Sequence, residues 1–232
     1  MNGLVRKSSV VLVLLLCGAV LAAAAPPRRV AFLQYINGSV SVQPNGTGSW
    51  VKAASDRALG VGDNVWTDTA SRAELNLGTG LLQMNSQTSL TLVSVDPASV
   101  QLRLNQGTLN LHVRHLFGGE IYEVDSKNGS FTLNKSGDYR FDVDPKTDTT
   151  TITVWKGEGT VSGDRPTKKV HAHQQIRLSG ITAAYESHGT PKPDGFDEWC
   201  RIRNKRQDSV YPYGYPYPPG VVVYGRPWFY GR

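Results

Sequence analysis

Cysteine is nearly absent from this sequence: Cys17 and Cys200 are the two that 232 residues contain. Cys17 falls in an N-terminal stretch that reads as a removable leader. No intramolecular disulfide is therefore expected, and packing and backbone hydrogen bonds must hold the fold. Long apolar runs are missing as well. Val10–Leu16 is uninterrupted hydrophobe, short for a spanning helix of about 20 residues. Arg6 and Lys7 precede it and Ala22–Ala25 follow it, the three parts of a secretory signal peptide. Residues 1–25 are thus expected to be removed on export, leaving a periplasmic or secreted chain with no transmembrane segment. A lipoprotein reading through Cys17 lacks the small residue wanted at Leu16.

Catalytic signatures are absent too. The sequence has no G-x-S-x-G elbow, no H-E-x-x-H, no phosphate-cradling loop and no Cys–His pair of plausible spacing. A basic body is also lacking. The formal charge of +6 sits at the two ends, with Arg6 and Lys7 in the leader and six basic residues against one acidic in 201–232. The near-neutral middle argues against nucleic acid as a partner, because a nucleic-acid-binding fold carries its basic patch on the fold itself.

What the sequence does have is alternation. Leu102 and Leu104, then Leu109, Leu111 and Val113, then Ile152 and Val154 recur at every second position. This places one set of side chains inside a sheet and the other outside. Strand-sized segments fill 59–161, with turn residues between them, and predict an all-β, coiled antiparallel sandwich. Asn37-Gly38 predicts a two-residue turn joining Phe32–Ile36 to Ser39–Val42, and Asn128-Gly129 another before Phe131–Leu133. Gly78-Thr79-Gly80, Asn105-Gln106-Gly107, Gly118-Gly119 and Lys156-Gly157 are expected to reverse the chain elsewhere. Lys169–Leu178 is expected to close the body as a pair of strands. The Asn-Gly turns also account for three of the four N-x-Ser/Thr sequons, at Asn37, Asn45, Asn128 and Asn134.

The texture changes after Gly180. The domain plan is a leader at 1–25, a β body at 26–180, a polar linker at 181–193, a short helix at 194–207 and a Tyr/Pro/Gly-rich tail at 208–232. Asp194 is placed to cap the helix. Phe196, Trp199, Cys200 and Arg203 share one helical face. Phe196, Trp199 and Cys200 are expected to dock on the body, leaving Arg201, Lys205 and Arg206 in solvent. The tail carries Tyr211, Tyr213, Tyr215, Tyr217 and Trp228 among prolines, which favour extended chain. Tyr, Trp and Arg are enriched at binding hot spots, so these residues with Arg201, Arg203 and Arg206 form the candidate binding set.

The strands also carry a family likeness. Residues 62–75, Gly-Asp-Asn-Val-Trp-Thr-Asp-Thr-Ala-Ser-Arg-Ala-Glu-Leu, resemble the G-D-x-V-x-T-x-x-x-S-R-A-E-L segment of FecR domains, named after the ferric-citrate regulator. Leu102–Leu109, Tyr122–Asp125 with Gly137–Val143, Val154–Gly159 and Ala172–Gln175 are similar to later pieces of the same family. The likeness spans about 30 to 180 and takes the form seen in stand-alone bacterial FecR-domain proteins. It implies a jelly-roll- or β-helix-like stack of antiparallel strands and a place in the bacterial cell envelope. Signalling members carry a cytoplasmic anti-sigma region and one internal spanning helix, and neither is expected here.

The leading expectation is a non-catalytic exported module that recognises a protein or an envelope polymer, with no cofactor and no metal. One alternative is a periplasmic signalling or sensor component without its own anti-sigma region. A second is an envelope-glycan enzyme using the same-face carboxylates Glu123/Asp125 or Asp142/Asp144, since glycoside hydrolysis needs two such groups. A third is a self-associating protein that uses free strand edges. His171 and His173 with His112 or His115 are the metal candidates, and Asp142, Asp144 and Asp148 the calcium candidates. Each set has a plainer reading as exposed polar positions.

Overall fold

The computed structural model describes residues 31–180 and 185–210. These form two sheets that share one strand. The first runs, in spatial order, β4 (Arg57–Leu59), β1 (Ala31–Asn37), β6 (Arg72–Asn76), β7 (Gly80–Met84), the second half of β9 (Ser99–Val113), β12 (Gly137–Asp144), β13 (Thr149–Lys156), β16 (Gln174–Ser179) and β17 (Glu186–Gly189). All its neighbours are antiparallel. The second runs β3 (Val51–Lys52), β2 (Val40–Gln43), β5 (Asn64–Thr67), β8 (Thr88–Val95), the first half of β9, β10 (Ile121–Ser126), β11 (Gly129–Leu133), β14 (Glu158–Ser162) and β15 (Lys168–His171). Here one pair, β9 with β10, is parallel.

The alternating Leu, Val and Ile positions of both sheets enter one continuous core. Its largest fully buried side chains include Tyr122, Phe131, Tyr139 and Phe141. Phe131 meets Tyr139 and Phe141 at ring-centroid distances of 5.8 and 5.6 Å, in the range where aromatic pairs add to area burial. The all-β sandwich expected from the alternation is the fold observed.

Several turn expectations need correction. Asn105-Gln106-Gly107 does not reverse the chain. Strand β9 runs straight through it, pairing with β8 and β10 before Gly107 and with β7 and β12 after it. Gly107, at φ +91°, is the bend that carries the strand between sheets, and an added Cβ there would stand 2.4 Å from Thr88 Oγ1. Asn37-Gly38 is likewise a corner and not a hairpin turn: β1 pairs with β4 and β6, whereas β2 pairs with β3 and β5. Ser71 Oγ accepts from Ser39 N at 2.8 Å, holding the chain as it changes sheets.

Strands β15 and β16 also lie in opposite sheets, paired with β14 and β13, so Lys169–Leu178 is a crossing and not a closing pair. Lys156-Gly157 is another crossing, from β13 in the first sheet to β14 in the second. Gly118-Gly119 belongs to the connection between the parallel strands β9 and β10. Asn128-Gly129 is the hairpin turn expected, with Ser126 opposite Gly129.

Beyond Gly180, part of the expected linker is strand: β17 adds to β16. Helix α1 spans Gly195–Val210, three residues past the expected end. Asp194 caps it, its Oδ1 accepting from Phe196 N at 2.8 Å and Asp197 N at 2.9 Å. Asp197 Oδ2 in turn accepts from Asp194 N at 2.9 Å. This reciprocal capping box satisfies donors that a helix start leaves free.

Candidate functional site

Period two puts a polar row on the outer face of the first sheet, opposite the core. Glu74, Gln83, Asn110, Arg140, Thr153, Gln175 and His188 stand in direct register across seven strands. An outer face is ordinarily wet, yet Glu74 and Gln83 are 0% exposed. Helix α1 covers them.

Three charged anchors hold the helix. At its start, Arg140 donates to Asp194 at 2.7 Å and Asp197 at 2.8 Å, while Asp142 orients the same guanidinium at 2.9 Å. Burial works against the Asp194 carboxyl, but backbone N–H donors and Arg140 hold it down at about 2. Burial pushes Asp197 up instead. At mid-helix, Arg203 clasps Glu74 with two bonds of 2.8 and 2.9 Å. Gln34 and Gln83 also donate to that carboxylate, at 2.6 and 3.1 Å. Burial would raise Glu74, but Arg203 and the two amides win and lower it. At the helix end, His112 bonds Asp138 through Nδ1 at 2.5 Å and Asp208 through Nε2 at 3.1 Å. Burial disfavours its charge, but the two carboxylates prevail and raise its pKa.

Between the anchors lies an aromatic patch. Trp199 stacks on Phe196 at 5.7 Å and meets Tyr35 at 5.9 Å. Arg72 sits 5.0 Å from the Trp199 ring centroid, and Arg203 sits 4.0 Å from that of Tyr35, both within cation–π range. Cys200 is buried, and burial drives its thiol far up. Under the helix, the amide oxygens of the neighbours Gln83 and Asn110 have no hydrogen-bond partner among the described residues. Each such group costs about 1–3 kcal/mol.

Phe196 and Cys200 are buried, and Trp199 packs between Phe196 and Tyr35. Arg203, which shares their helical face and is assigned to the binding set, is spent inside the molecule on Glu74. Arg201 is exposed and pairs with Glu198, and Lys205 and Arg206 face solvent. Ile202, 56% exposed, stands beside them. Tyr211, Tyr213, Tyr215, Tyr217 and Trp228 lie outside the described residues, as does the leader.

The other candidate sets are dispersed. Asp142 is held by Arg140 and Thr108, and Asp144 by Lys146 N and Thr147. Glu123 accepts from Thr132. Asp125, on the same strand β10 as Glu123, lines a hollow of about 240 Å³ with Arg103, Lys127, Ser130 and Asp164. His171 ends β15 beside Glu158, while His173 is a turn residue at φ +64°. No cluster of three metal-ligating side chains occurs among the described residues. Sequence reasoning missed Glu74 and Arg140, because period two marks them only as outward-facing, and it offered His112 as a metal ligand and not as an anchor for the helix.

Residues 63–159 match the family model described as FecR protein. This stretch has the sequence pattern of a FecR domain. It spans β5 to the start of β14 and contains the polar row from Glu74 to Thr153. Helix α1 lies beyond the matched stretch. Two crystal structures described as candidate anti-sigma factors from Parabacteroides distasonis ATCC 8503 are similar, each at 9% identity. The chain covers 59% of one at a TM-score of 0.49 and 82% of the other at 0.51, using 54% and 70% of its own length. At this identity the second likeness speaks to fold alone. No curated protein matches the sequence. No described helix is long and apolar enough to cross a membrane.

Proposed function

We propose that the chain is a non-catalytic, exported sensor and protein-binding module of the FecR type. In this reading it serves envelope signalling as a receiving component. The β body is the rigid mount. Helix α1 and residues 211–232 present the binding surface, with Arg201, Arg206, Tyr211, Tyr213, Tyr215, Tyr217 and Trp228 as its contacts.

The observation that carries this is the division of labour around α1 on a FecR-domain body. The charged groups facing the sheet are used in docking, whereas Arg201, Ile202, Lys205 and Arg206 are turned to solvent. An apolar side chain ringed by cations suits a protein partner with an acidic rim around an apolar centre. Of the candidate carboxylates, Glu123, Asp142 and Asp144 are engaged with neighbours as structural groups.

The test is capture from envelope extract by the full chain and by a chain ending at Val210. The expected result is a protein partner held by the full chain and lost or much weakened on removing 211–232. Equal capture by both would move recognition onto the β body and the helix. Turnover of peptidoglycan fragments by the pure protein, abolished by Asp142→Asn, would overturn the non-catalytic reading.

A further inference from the structure

Helix α1 is attached to the body by side chains. Among the described residues, no backbone hydrogen bond joins 195–210 to either sheet; the one bond outside the helix ladder, Glu198 N to Asp194 O, is the helix's own. Recognition lies in an order of charges: Asp194 and Asp197 on Arg140, then Arg203 on Glu74, then Asp208 on His112. The sheet holds its half of that code ready, with Asp142 steering Arg140, Gln34 and Gln83 steering Glu74, and Asp138 steering His112. None of this requires helix and sheet to belong to one chain.

The covalent connection is short and bare. Residues 190–193, Thr-Pro-Lys-Pro, make no backbone hydrogen bond to the sheets among the described residues, and Pro191, Lys192 and Pro193 are exposed. His188 stands in the same row as Arg140, three strands away. At about 4.8 Å per spacing the gap is roughly 14 Å. Five residue steps from Gly189 to Asp194 reach at most about 17 Å. The two prolines favour that extended form. The linker therefore reaches its own sheet with little slack, and it is stiff enough to point elsewhere.

We infer that the outer face of the first sheet is a helix receptor that works between chains as well as within one, so that two copies of this protein can exchange their α1 helices. The partner is a second copy, and the contact is reciprocal: each sheet receives the other chain's Asp194, Asp197, Arg203 and Asp208. Such an exchange reuses contacts that already exist and creates a closed dimer.

Deleting Pro191–Pro193 tests this. The remaining two steps span at most about 7 Å, too short for the helix to fold back on its own sheet. In a Cys17→Ser background, Cys200 is the one thiol and reports docking, because it is buried only beneath the docked helix. The expected result is a doubled mass by sedimentation, with Cys200 modified within about twofold of the parent rate. A monomer overturns the inference in either form. With Cys200 exposed, the sheet does not hold the helix in trans; with Cys200 protected, the linker is not the constraint.

Should the deletion fail to fold, Glu74→Arg and Arg203→Glu chains provide a second test. Each alone sets like charges together at mid-helix. Mixed, each helix finds its complement only on the other chain. Heterodimer formation with Cys200 protection restored on mixing supports exchange, and a mixture that behaves as the sum of its parts overturns it.

Discussion

His112 is held by carboxylates from two elements, Asp138 on β12 and Asp208 on α1. Its pKa is raised in the folded state. The proton it gains on folding contributes stability that is fully present below the unfolded value of about 6.5 and is lost as pH rises through the folded value. Seating of the helix end should therefore be firmest in mild acid. Melting temperature measured from about pH 5.5 to about pH 8.5 is expected to fall with pH more steeply in the parent than in His112→Asn. Parallel profiles would show that the imidazole does not contribute. The Glu74–Arg203 pair behaves differently, because its carboxylate is fully buried and its pKa lowered. Arg203→Ala leaves that charge without its partner, a loss of about 3 kcal/mol if the helix stays seated. Water reaching Glu74 as the helix lifts would reduce the cost but free Cys200. Thiol modification and thermal melting together separate the two cases.

At the scale of the element, β9 decides the architecture. It is one 15-residue strand serving both sheets, and Gly107 is where it turns. Gly107→Ala would combine φ +91° with a Cβ 2.4 Å from Thr88 Oγ1 and 2.6 Å from Thr88 Cα. A destabilisation of about 2–3 kcal/mol is expected by chemical denaturation. Gly118→Ala, where an added Cβ meets nothing within 4 Å, should cost far less and serves as the control. Helix α1 shows the opposite balance between local and distant information. Its start is written locally, in Asp194 and Asp197, and its docking residues Phe196, Trp199 and Cys200 follow helical spacing. Its charged anchors were not legible, since Glu74 lies 129 positions from Arg203 and nothing local marks the two as partners.

For the whole molecule, the boundary of the stable unit lies further along the chain than the β pattern alone suggests. Ending the chain at Gly180 removes β17 and α1 and opens Glu74, Gln83 and the aromatic patch around Trp199 to water. Ending it at Val210 leaves all of them covered. The shorter chain should melt at clearly lower temperature, whereas the chain ending at Val210 should melt within a degree or two of the full length, the ordinary spread for changes away from packed features. Equal melting of all three would mean that the helix is a passenger on the sheet.

The sequence by itself determined the strands, the buried set and the helix start. Alternation at period two and helical spacing are local patterns, and each residue carries its share of them. It also carried the FecR likeness of 62–75, because that segment is a contiguous stretch. Tertiary structure decided where the chain changes sheets. Asn37-Gly38 and Asn128-Gly129 are the same dipeptide, yet one is a corner and the other a hairpin. The difference lies in Ser71, which captures the chain at Ser39 from 32 residues away. It likewise decided the fate of the outer face of the first sheet, where Glu74 reads as a solvated carboxylate until α1 covers it. A residue's own pattern fixes which side of a strand it takes, but only packing against a distant element fixes whether that side meets water.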